Sequence, residues 1–134
     1  MIYLTGKQQP TPQQKRIVRK IADDSFLRQV PEDFGPVPCA SDSWVPDLSS
    51  MVALRMKCVD PHTDDWVGDG NKPRRYIAVF WVVDMSGFDD LWIQVGSAAQ
   101  RMYVGDFIAF DDSVMHCVVA KNYWRGVAYQ MRAA

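Results

Sequence analysis

The chain has 134 residues, 48% of them hydrophobic, which is enough apolar material for one core and excludes a disordered chain. Lys and Arg number 15 against 16 Asp and Glu, so the net charge of -1 argues against a strongly basic nucleic-acid footprint, and no apolar run reaches the length of a membrane span. The cysteines Cys39, Cys58 and Cys117 are unpatterned, and Met1 to Thr11 lacks the basic-then-apolar order of a secretory signal. One domain in the reducing cytoplasm is the expectation.

The first element read from the chain is a helix beginning at Thr11. Pro12 suits the first helical position, and Thr11 with Gln14 makes a capping box. Ile17, Val18, Ile21 and Phe26 give the apolar stripe, and the helix is expected to end before Pro31. The basic face of Lys15, Arg16, Arg19 and Lys20 reads as a solvated surface in preference to a phosphate contact. Residues 31 to 46 carry Pro, Asp and Ser without periodicity and read as a loop.

Beyond Ser50 the period changes to two. Met51 to Val59 alternates and is expected to break at Asp60-Pro61, and Trp66 to Arg75 has the composition of a loop. Strands are then expected at Tyr76 to Val83, Leu91 to Val95, Arg101 to Val104, Phe107 to Phe110, Val114 to Ala120 and Gly126 to Met131. Many short strands after one early helix predict a mainly β fold, a sandwich or jelly-roll barrel over 51–134 with residues 1–50 as a helical and loop buttress.

Chemistry concentrates on the only two histidines. His62 and Asp64 lie two apart, so on a strand both point to one face. His116, in a later strand, completes a set of two imidazoles and one carboxylate, the facial arrangement that holds non-haem Fe(II) and leaves positions open for reaction. A zinc site recruiting Cys58 and Cys117 is disfavoured, because neighbours such as His116 and Cys117 point to opposite faces of a strand. Asp65 and Asp112 read as turn or solvent residues, and Trp66, Tyr123 and Trp124 as packing aromatics before substrate stackers. No nucleophile elbow, phosphate-cradling glycine loop or H-E-x-x-H helix is present.

The run Pro61-His62-Thr63-Asp64-Asp65, the strand Arg74 to Val79, the segment Gly105-Asp106 to Phe110-Asp111, then His116 and Arg125, stand in an order that resembles the Fe(II)- and 2-oxoglutarate-dependent dioxygenases. The resemblance covers about Met51 to Arg132, and within the superfamily His116 to Ala120 with Arg125 and Arg132 looks most like the AlkB-type branch. It implies a double-stranded β-helix core, His62, Asp64 and His116 as ligands of Fe(II), 2-oxoglutarate and O2 at the open positions, and an arginine fork on the distal carboxylate of the keto acid. Arg125 is the expected fork, because a hairpin tip at Lys121-Asn122 would make it a cross-strand neighbour of His116; Arg132 is the second candidate. The chain departs from the family at Val127, where many members carry a small hydroxylated residue.

Two function classes follow. One is an oxygenase that converts 2-oxoglutarate to succinate and CO2 while hydroxylating or demethylating a second substrate, which the sequence leaves open between a small molecule, a protein side chain and a nucleobase. The other is a cupin-like binding or interaction module that keeps the barrel without the catalysis.

Overall fold

The computed structural model describes residues 2–22, 28–39, 42–64, 76–85 and 90–133. Ten strands and one helix follow in the order β1 (Ile2–Lys7), α1 (Pro12–Ile21), β2 (Arg28–Gln29), β3 (Trp44–Met56), β4 (Val59–His62), β5 (Tyr76–Met85), β6 (Leu91–Val95), β7 (Ala98–Met102), β8 (Asp106–Phe110), β9 (His116–Ala120) and β10 (Trp124–Ala133). Among the described residues, strand pairing is antiparallel and makes two sheets, one ordered β1-β8-β5-β10-β3-β2 and the other β4-β9-β6-β7. The mainly β expectation is met. Closure into a barrel is not, since no ladder joins the two sheets among the described residues.

Two cores lie on opposite faces of the larger sheet. Between the sheets, Leu54, Ala78, Val82, Ile108, Phe110 and Trp124 of the six-stranded sheet meet residues of the smaller one such as Leu91, Ile93 and Val118. On the outer face, Val79, Trp81, Val127, Tyr129 and Met131 pack under Val18 and Ala22 at the helix. The alternation read from sequence is therefore real, but in the larger sheet both phases are apolar because the helix covers the second face.

The helix begins as its sequence dictates. The Gln14 amide donates to Thr11 Oγ1 at 3.1 Å and the Thr11 amide to Gln14 Oε1 at 2.9 Å, closing the capping box after which Pro12 starts the first turn. Gln14 is itself buried, its Nε2 donating to the Pro36 carbonyl at 2.8 Å, so one residue caps the helix and pins the loop over it. The described helix ends at Ile21 with its cap at Ala22, well before Pro31.

The N-terminal segment is more than a buttress. β1 forms an edge of the larger sheet on β8, β2 adds to β3, and β3 starts at Trp44 inside the stretch expected to be a loop. At Gly6, a Cβ would come within 2.6 Å of Phe107 Cζ, so only glycine lets the edge strand lie against that ring. Pro61 does not break a strand but sits within β4, an edge of the smaller sheet, where a missing N–H is tolerated. The strand expected at Arg101 to Val104 is displaced to Ala98–Met102. The expected loop at Trp66 to Arg75, together with Phe26 and Asp65, lies outside the described residues.

Candidate metal centre

The triad is assembled at one end of the sandwich from the end of β4 and the start of β9. His62 and His116 are register partners on those two strands, and their rings lie 4.3 Å apart between centroids. A register shift between Val59 and His62 turns the end of the edge strand. Asp64 stands beyond β4, not on it as simple alternation expected, and its amide donates to the Asp112 carbonyl at 2.9 Å. That carbonyl belongs to the turn from β8 to β9, in which Asp111 Oδ1 accepts from the amide and hydroxyl of Ser113 and the Val114 amide donates back to the Asp111 carbonyl. The same turn thus fixes Asp64 and delivers His116.

Each imidazole is oriented in the same way. His62 Nδ1 lies 2.8 Å from the Asp60 carbonyl, and His116 Nδ1 lies 2.8 Å from the Val114 carbonyl. A carbonyl only accepts, so in the neutral rings both protons sit on Nδ1 and both Nε2 atoms present lone pairs. Those lone pairs point at Asp64, with His62 Nε2 3.4 Å from Oδ1 and His116 Nε2 3.3 Å from Oδ2. His116 Nε2 is buried and has no hydrogen-bond partner. Two lone pairs against a carboxylate repel unless a cation sits among them, and one donor atom from each residue lies within 4.8 Å of the others. Cis donors on an octahedral ion are about 3 Å apart, so modest side-chain movement would bring these three onto one metal ion. His62, Asp64 and His116 are a group that could hold a metal ion.

The three side chains of the site differ in burial. The His116 side chain is 1% exposed while His62 and Asp64 are each 39% exposed, so the triad forms a mouth between water and the inter-sheet core. Phe110 backs His116 edge-on at 4.9 Å, and Phe80 backs Phe110 at 5.3 Å. The alternation of Phe107 to Phe110 turns Ile108 and Phe110 inward, but nothing in the sequence alone ties Phe110 to the histidines. Among the described residues, the buried polar or charged side chains are Gln14, Asp112 and His116, so no buried cation lies in the inter-sheet core.

Arg125 is not brought to the triad. β9 and β10 belong to different sheets, so residues 121–123 cross between sheets and the expected hairpin neighbours are not paired. On β10, Trp124 and Ala128 face the inter-sheet core while Val127, Tyr129 and Met131 face the helix. Arg125 shares the helix side, with Nη1 3.5 Å from Asp84 Oδ2, the carboxylate that Arg19 of α1 also binds. Its register partners Asp84 and Arg55 lie five residues up β10 from Gln130, the level of Ala78 and Phe110, a distance of about 17 Å at strand rise. Arg132 is placed differently. It belongs to the phase of β10 that faces the smaller sheet, two residues past Gln130 at the triad's end, and is exposed there.

The aromatics divide as well. Trp124 is buried in the inter-sheet core, and Tyr123 lies against the Arg55 guanidinium at 4.1 Å, both at the end of β10 away from the triad. Trp66 lies outside the described residues. The cysteines do not join the metal-ligand group, and Cys117 occupies the half-buried phase of β9 opposite His116. No described helix is long and apolar enough to cross a membrane. No protein-family model matches the chain, and a search of curated proteins finds no match.

Proposed function

We propose that this chain is an Fe(II)- and 2-oxoglutarate-dependent dioxygenase on a jelly-roll scaffold, with His62, Asp64 and His116 as the iron ligands. The observation that carries the reading is the convergence of two Nε2 lone pairs and one carboxylate, with each Nδ1–H donating to a backbone carbonyl and with His62 and Asp64 part-exposed beside the buried His116. Strand order supports the scaffold: β3 to β10 split four and four, as β3-β10-β5-β8 against β4-β9-β6-β7, the interleaving expected of a doubled Greek key. Two nitrogens and a carboxylate on one face suit iron with open positions better than a closed four-ligand zinc site. When bound, iron and the keto acid would together supply O2 activation coupled to decarboxylation, releasing succinate and CO2 and oxidising a second substrate.

The chain's own residues then have distinct tasks. The Asp60 and Val114 carbonyls hold the imidazole tautomers, and the Asp112 carbonyl holds the backbone of Asp64. Phe110 and Phe80 keep water from the buried side of the site. The distal carboxylate of the keto acid needs a guanidinium fork, and Arg132 replaces Arg125 in that role because it stands at the triad's end on the sheet face turned toward the smaller sheet.

A second reading, a cupin-like module that binds metal without the keto acid, is favoured by one observation: the inter-sheet core holds no buried cation among the described residues. The two are separated by titrating 2-oxoglutarate into Mn(II)-loaded protein, where the oxygenase reading expects saturable binding that Arg132→Ala weakens at least about tenfold, a loss of about 1.4 kcal/mol. Aerobic protein with Fe(II) and 2-oxoglutarate should then release succinate. Metal binding without keto-acid binding selects the module.

A further inference from the structure

On the helix-facing side of the larger sheet, Arg55 of β3 and Arg125 of β10 are register partners, so two like charges stand directly opposite one another, an arrangement that is unfavourable by itself. The nearby carboxylate, Asp84, is already gripped side-on by Arg19, whose Nε and Nη2 donate at 3.1 and 2.9 Å. Arg125 reaches it only at 3.5 Å. Arg55 is held instead against the Tyr123 ring, its guanidinium carbon 4.1 Å from the centroid. The Nε atoms of Arg55 and Arg125 are both buried and make no hydrogen bond. Among the described residues, these three guanidiniums and one carboxylate leave a local charge of +2, and the Nε atoms of two of the guanidiniums have no acceptor.

The geometry points to a binding site for a phosphate-monoester dianion formed by Arg19, Arg55 and Arg125. A monoester phosphate carries a charge of about −1.5 to −2 and three acceptor oxygens, enough to neutralise the cluster and to sit between two planar forks; a carboxylate would leave half the charge uncompensated. Arg125 is 27% and Arg19 56% exposed at the side chain, so a ligand can arrive from solvent. The site lies on the opposite face of the sheet from the metal triad and stands whether or not the oxygenase reading holds.

The test is calorimetric titration of the full chain with inorganic phosphate, with chloride at matched ionic strength as the control. Saturable phosphate binding is expected, weakened at least about tenfold by Arg55→Gln and by Arg125→Gln, and unchanged by Arg132→Gln. Asp84→Asn, which raises the local charge, should tighten it. Circular dichroism and the retained Mn(II) affinity of each variant establish that it is folded. An equal response to chloride, no saturable phosphate binding by the wild-type chain, or Asp84→Asn weakening the binding would each overturn the proposal.

Discussion

Asp64 Oδ2 lies 3.3 Å from His116 Nε2, a nitrogen that carries no proton in the neutral ring, whose one N–H donates from Nδ1 to the Val114 carbonyl. The contact has the distance of an ion pair but, in that tautomer, the polarity of a repulsion. A metal ion removes the repulsion, and so does a proton on the imidazole, and the two explanations predict different behaviour.

Asp64→Asn separates them. If the triad is a metal site, the asparagine amide can donate to a histidine lone pair, and the metal-free variant should be as stable as the parent or more stable by up to about 1 kcal/mol, while Mn(II) affinity collapses. If the contact is a structural imidazolium–carboxylate pair, the same substitution should lower stability. Urea denaturation in the presence of a chelator reads the sign directly.

Metal should stabilise the fold by linkage. At metal concentrations about a hundredfold above Kd, unfolding free energy should rise by about 2.7 kcal/mol, visible as a shift in Tm that His116→Ala or His62→Ala abolishes. A shift that persists in both variants would place the metal elsewhere.

Tyr129 gives the protein an alkaline limit. Its hydroxyl donates to the Pro38 carbonyl beneath the helix, and burial, followed by the charge of Cys39, pushes its pKa well above the ordinary 10.0. Because the folded state resists ionisation, the stability linked to this group is fully present below pH about 10 and is lost as pH rises above it, with a slope of at most about 1.4 kcal/mol per pH unit. Tyr129→Phe should cost about 1 kcal/mol at neutral pH through the unsatisfied carbonyl and flatten the alkaline decline. Denaturation midpoints measured from about pH 8 to about pH 12, two units either side of the free phenol value, provide the comparison.

Gly126 marks a close approach of β10 to the backbone of β5. A Cβ at this position would meet the Trp81 carbonyl oxygen at 2.5 Å and the Trp124 ring at 2.8 Å. Gly126→Ala should therefore destabilise by about 1–3 kcal/mol or more, since the nearest obstacle is backbone, and thermal melts would show it against a control such as Ala133→Gly. A neutral outcome would mean β10 can shift away from β5.

The sequence by itself determined most of the local elements and the candidate metal-binding triad. The capping box at Thr11 and Gln14, the strands beginning at Leu91 and ending at Phe110, and the pairing of His62 and His116 with one carboxylate depend on contacts between near neighbours or on the rarity of histidine, both visible in one dimension. Only the tertiary structure decided what became of Arg125, since its partner was fixed by which sheet each strand joined. A chain reversing at Lys121 reads the same whether it closes a hairpin or crosses a sandwich, yet the first brings residue 125 beside His116 and the second turns it toward Asp84 and the helix. Likewise Ile2–Lys7 is too short and too plain to announce a strand, and becomes one because β8 offers it a free edge. Local hydrogen bonds and periodicity are written along the chain, whereas the sheet and face that a residue joins are settled by which apolar surfaces find each other.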